Sequence, residues 1–70
     1  MKLRETFATN LRVLRHERKL SQEALADEAG IDRTYISALE RSVFSASLDT
    51  IEKLATALGV EPHSLLEKKP

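Results

Sequence analysis

The sequence predicts an all-α fold, a compact five-helix bundle, and three observations carry that prediction. Apolar residues recur at intervals of three and four along most of the chain, and no stretch alternates apolar with polar residues as a half-buried strand would. Residues with capping chemistry, Ser21, Asp32 and Ser47, stand just before three of those apolar runs, and Gly30 and Gly59 stand at the ends of two. The connections between runs are short, which favours helices packed directly on one another.

Each element follows from its residues. Leu3, Phe7, Leu11 and Leu14 form one stripe of a first helix, with Arg4, Arg12, Arg15 and Arg18 largely off it. Ser21 caps a second helix and Glu23 lies in its first turn, where the helix dipole favours an acid. Leu25, Ala26 and Ala29 face inward there, and Gly30 supplies the left-handed residue that ends it. Asp32 caps a third helix whose inward positions are Ile36 and Leu39. The segment SVFSAS breaks the pattern. Ser47 then caps a fourth helix with an apolar face of Leu48, Ile51, Leu54, Ala55 and Leu58, stopped by Gly59. Pro62 suits the first turn of a short fifth helix, with Leu65 and Leu66 facing inward.

Seventy residues form a single domain, 1–70, near the lower limit at which one core holds a fold unaided. With no cysteine, neither disulfides nor thiolate metal sites can assist. The aromatics are Phe7, Tyr35 and Phe44 alone, so the core is expected to be aliphatic. No apolar run approaches the roughly 20 residues that span a bilayer, and no signal-peptide pattern opens the chain. A soluble, cytoplasmic protein is the expectation. The formal net charge is zero, but its distribution is not even. Residues 1–20 hold six bases against two acids, residues 21–40 one base against five acids, and residues 41–70 four of each. Such sign asymmetry informs about partners more than the total does.

Residues 21–41 carry the most information. Two short helices meet there at a tight turn, with Ala26, Ala29 and Gly30 at the crossing; a bulky residue would push the helices apart. This is helix-turn-helix spacing, in which the second helix projects its N-terminal end toward a major groove about 12 Å wide. An ordinary corner between two helices shares that spacing, so the side chains must decide. Opposite Ile36 and Leu39, at about 100° per residue, lie Arg33, Thr34, Ser37, Ala38 and Arg41. Arg33 can donate two hydrogen bonds to guanine O6 and N7, and Thr34 offers a methyl for thymine and a hydroxyl.

The string LRVLRHERKLSQEALADEAGIDRTYISALER, with SLDTIEKLATALGV after it, closely resembles the Cro and phage-repressor (XRE-type) family of helix-turn-helix regulators, over roughly residues 7 to 66. The L-S-Q-E start, A-x-x-A-G into the turn, Y-I-S-x-L-E and the closing A-x-A-L-G-V carry the likeness. IDRTYISALER also resembles the short controller proteins of restriction–modification systems. In one respect the chain departs from the pattern: Ser42 and Ala46 stand where the family has glycine and proline, so the loop between the third and fourth helices is expected to take its own path.

The resemblance implies that Arg33 and Thr34 read bases and that Gln22 holds a backbone phosphate beside a helix N-terminus. It further implies that Arg15 and Glu40 form a structural salt bridge between the first and third helices. Glu23 and Asp27 match the acidic patch by which some phage repressors touch RNA polymerase; a solvated acidic face is the plainer reading. Ser37 is expected to meet bases or phosphate, Ala38 and Arg41 to complete the face, and Tyr35 either to hydrogen-bond a phosphate or simply to pack. Arg12 and Arg18 are expected in solvent. His16 and His63 lack metal-ligand spacing, and no nucleophile–base pair or phosphate loop appears, so neither a metal, a cofactor nor an enzyme is expected.

The expected function is sequence-specific DNA binding by a transcription regulator, repressor or activator. One recognition helix reads only a few base pairs, so a homodimer on a near-palindromic operator of double-stranded DNA is expected. Its interface is expected around Val60, Leu65 and Leu66, with Phe44 as a second candidate. The alternative is an antitoxin, whose main partner is a toxin protein.

Overall fold

The computed structural model describes residues 2–68. Four α-helices, α1 (Leu3–Glu17), α2 (Gln22–Ala29), α3 (Arg33–Glu40) and α4 (Leu48–Leu58), are followed by a 3-10 turn at Pro62–Leu65. Among the described residues there is no strand. The fifth helix read from the sequence is therefore a single 3-10 turn. Four residues are too few to complete an α-helical ladder, and the turn closes instead with the Leu66 N–H on the His63 carbonyl.

Helix α2 packs on α3 and α4, α1 lies against α3, and the 3-10 turn rests on both α1 and α4. Leu11, Leu25, Ile36, Leu39, Leu54, Leu58 and Leu65 fill the centre with at most 1% exposure, an aliphatic core as expected from so few aromatics. Two assignments change. Leu48 is 82% exposed, because no other element covers the first turn of α4; the buried stripe begins at Ile51. Asn10, passed over in the sequence, is buried, and its Nδ2 donates to the carbonyls of Leu65 (3.0 Å) and Glu67 (2.8 Å). A polar residue three after Phe7 and four before Leu14, on the apolar stripe itself, was the available signal.

The caps fix where each helix starts. Ser21 Oγ accepts from the Ala24 N–H, Asp32 Oδ1 from Thr34 and Ser47 Oγ from Thr50, each satisfying a backbone donor that the helix leaves free. The ends share a second device. Lys19, Gly30, Ser42 and Gly59 all have positive φ, between 57° and 71°. After each, the next residue's N–H reaches back five positions, as in Ile31 to Ala26 and Val43 to Ala38. All four helices thus close with a Schellman motif, two on glycine and two on residues with a Cβ.

Ser42 keeps the left-handed conformation in the place where the resembling family has glycine. A Cβ in that region costs about 1–2 kcal/mol, and glycine returns part of that gain as unfolded-chain entropy. Ser42→Gly is therefore expected to stabilise by about 0.5–1 kcal/mol, which raises Tm by about 2–8 °C in a domain of this size. Thermal unfolding followed by circular dichroism reads this directly; a lowered Tm would show that Ser42 does more than close the helix.

Candidate nucleic-acid interface

The turn from α2 to α3 is set by Gly30 at φ 71°, followed by the Asp32 cap. It leaves α3 with one face in the core and its N-terminal end outward. Ile36 and Leu39 are wholly buried, whereas Arg33, Thr34 and Arg41 are exposed and Tyr35 and Ser37 are half-buried. Ala38 does not belong with them. It is 4% exposed, because α1 packs along α3 and a one-carbon side chain does not reach past its neighbours. The outward surface is thus Arg33 and Thr34 in the first turn, Ser37 in the next and Arg41 at the end.

Behind that surface lies a buried ionic network. Arg15 Nε donates to Glu40 Oε2 at 2.6 Å and Arg15 Nη2 to Oε1 at 3.0 Å, with both side chains almost fully enclosed. The third guanidinium nitrogen, Nη1, donates to the Leu20 carbonyl at 2.8 Å, and Gln22 Nε2 donates to Glu40 Oε1 at 3.1 Å. A bidentate pair of this kind is strong because it is charge-assisted and geometrically fixed. Here it joins the end of α1, the start of α2 and the end of α3. Burial pushes the Glu40 carboxyl up, but hydrogen bonds from Arg15 and Gln22 and the charges of Arg15 and Arg12 outweigh burial, so it titrates below its ordinary value of 4.5. Gln22 has one N–H held by Glu40, which orients its amide, and its second N–H has no hydrogen-bond partner among the described residues.

The two arginines expected in solvent are exposed, and each also reaches a helix end. Arg12 Nη1 donates to the Glu40 main-chain carbonyl at 2.8 Å, and Arg18 Nη1 donates to the Leu58 carbonyl. Both meet C-terminal carbonyls that lack intrahelical partners. Their partners lie 28 and 40 residues away, so no local pattern points to them.

The loop after α3 is tied down from two sides. Tyr35 Oη donates to the Ser45 carbonyl at 3.4 Å, and Arg4 Nε donates to Ser45 Oγ at 3.0 Å. Phe44 stands beside Tyr35, ring centres 6.4 Å apart and tilted, and is 55% exposed. Of the residues read as an oligomer surface, Val60 and Leu66 are half-buried, and Phe44 is open. Leu65 is withdrawn from that set: it is wholly buried in the protein's own core under the 3-10 turn and has no surface to offer.

The five acids of residues 21–40 have different settings. Asp32 caps the helix and Glu40 is internal. Glu23, Asp27 and Glu28 are exposed on α2, and Glu28 shares a shallow groove between α2 and α4 with Glu52 and Lys53. Among the described residues no cluster could hold a metal ion, and no helix is long and apolar enough to cross a membrane.

Residues 11–65 match the helix-turn-helix family. The chain is 48% identical over 64 residues to a hypothetical transcription factor of Neisseria meningitidis; the match takes in 91% of this chain and 60% of that protein's length. It is 46% identical over 66 residues to the control protein C.BamHI of Bacillus amyloliquefaciens, covering 93% of this chain and 82% of the relative. The crystal structure of the restriction–modification controller protein C.AhdI from Aeromonas hydrophila superposes with a TM-score of 0.86 at 47% identity, covering 89% of this chain and 94% of the controller. Fold, turn and sequence agree: the chain belongs to the helix-turn-helix family of DNA-binding transcription regulators.

Proposed function

We propose that the protein binds a near-palindromic operator as a homodimer and regulates transcription there, each subunit laying the N-terminal end of α3 in a major groove. The observation that carries this reading is the exposure of Arg33 and Thr34 in the first turn of a helix whose other face is locked by Ile36 and Leu39. In it, Arg33 and Thr34 read base edges, Ser37 contacts a base or phosphate, and Tyr35 and Arg41 flank the groove. Gln22 gives its second N–H to a backbone phosphate at the start of α2. Likeness to two controller proteins over most of their lengths supports a controller-type regulator.

The homodimer forms through Val60, Leu66 and Phe44. Glu23 and Asp27, exposed and one helical turn apart on α2, meet polymerase bound next to the operator. Changing both to Gln then lowers activated transcription severalfold at matched operator occupancy; equal transcription returns them to a solvated face. Selection of bound sites from random DNA tests the central claim. The expected result is two inverted half-sites about one helical turn apart. A single unpaired half-site, or no enrichment, would remove the homodimer or the sequence specificity respectively.

A further inference from the structure

The stretch from Ser42 to Glu52 follows the reading helix, yet it contains no lysine or arginine and includes Asp49 and Glu52. DNA that receives α3 in its groove brings a phosphate strand alongside, and affinity depends on cations placed there. The structure supplies them from the opposite end of the sequence. Ser45 is held from both sides, its carbonyl by Tyr35 of α3 and its hydroxyl by Arg4 of α1, so the first turn of α1 is tethered beside α3. Lys2 and Arg4 share one shallow surface depression with Glu5 and Ser42. Glu5, Ser42, Arg12 and Arg41 border the adjoining one.

These two cations are badly placed for the fold alone. They sit at the N-terminal end of α1, where the helix dipole disfavours positive charge, and neither forms an ion pair with a described residue. Arg4 is exposed and uses only Nε on Ser45, so its terminal N–H groups have no partner among the described residues.

We propose that Lys2 and Arg4 form a phosphate-binding strip that grips the DNA backbone beside the groove entered by α3, replacing the cations missing from the loop after it. The strip continues past Ser42 to Arg41. Glu5, in the same strip, limits it to discrete phosphate contacts rather than a broad positive field. This inference rests on the DNA-binding reading above and adds a second element, α1, to its contact surface.

The test is the salt dependence of binding to the selected operator and to unrelated duplex, with Arg4→Gln, the double variant Lys2→Gln/Arg4→Gln, Arg4→Lys and, as a control for charge alone, Lys53→Gln on α4. Removing one phosphate-binding cation lowers the log–log salt slope by about 0.9, so Arg4→Gln on a dimer lowers it by about 2 and the double variant by about 4. Affinity near physiological salt falls on the order of tenfold or more for both DNAs, because backbone contacts carry no sequence information. Arg4→Lys keeps the slope, and Lys53→Gln leaves it unchanged. All three positions are exposed, so circular dichroism should show the fold intact. An unaltered slope in the double variant overturns the inference, as does a drop equalled by Lys53→Gln. Separately, Arg33→Ala with unchanged base preference beside a lowered slope in Arg4→Gln would sink the base-reading assignment and leave the strip standing.

Discussion

Arg15→Met is expected to cost about 3–5 kcal/mol of folding stability, the usual penalty for removing one partner of a buried pair. The reason lies in what remains. The Glu40 carboxylate stays enclosed at 5% exposure with Gln22 as its remaining side-chain donor, and the Leu20 carbonyl loses its partner. A domain of this length has about 3.5–10 kcal/mol in total, so the variant should be close to unfolding at 25 °C. Glu40→Gln preserves shape and part of the hydrogen bonding, and should cost less. Replacing both members, as Arg15→Met with Glu40→Leu, should recover much of the loss, since no buried charge is then stranded. Urea unfolding of the three variants reads the order. A loss below about 1 kcal/mol for Arg15→Met would mean that the pair is not holding the three helix ends together.

The same pair fixes a pH dependence. The folded-state pKa of Glu40 is lowered, so its contribution is fully present above its ordinary value of 4.5 and is lost as pH falls through the lower folded value. Wild-type stability should therefore drop on acidification below about 4.5. Glu40→Gln should lack that component. Since Glu40 also orients Gln22, operator affinity should weaken in Glu40→Gln even under conditions where the fold is intact.

What could be read from the sequence was mostly what is local. The caps at Ser21, Asp32 and Ser47, the glycine ends and the inward Ile36 and Leu39 depend on residues within one or two turns, and each has a residue-level signature. Leu48, Ala38 and Leu65 were misplaced because their exposure depends on which element lies across from them. Periodicity gives the face of a helix but not whether anything covers it. Arg12 and Arg18 are exposed as expected, but periodicity could not show that each long side chain returns to a carbonyl of another helix. The left-handed Ser42 and Lys19 were hidden for a further reason: tertiary packing holds a backbone shape that their own preferences oppose.

Arg33→Ala should have the largest effect on DNA binding. Arg33 is exposed, its side chain forms no hydrogen bond with another described residue, and it sits at the positive end of α3, where the dipole gives a cation no support. Nothing in the fold depends on it, so the variant should be as stable as the parent or slightly more so. Bound to DNA, its planar guanidinium can donate two parallel hydrogen bonds to guanine, worth about 1–3 kcal/mol per half-site and about twice that for a dimer on a palindrome. The loss should be specific: discrimination at one base pair of each half-site relaxes, while binding to unrelated DNA changes little. Arg33→Lys should keep the charge yet fail to restore discrimination, because an ammonium cannot make the paired contact. Gln22→Ala should behave oppositely, weakening all sequences evenly as a phosphate contact does. Titrations against the selected operator and its single-base variants separate these patterns. Unchanged base preference in a folded Arg33→Ala protein would move the reading role to Thr34 and Ser37, which share its face in the first two turns of α3 and are not enclosed.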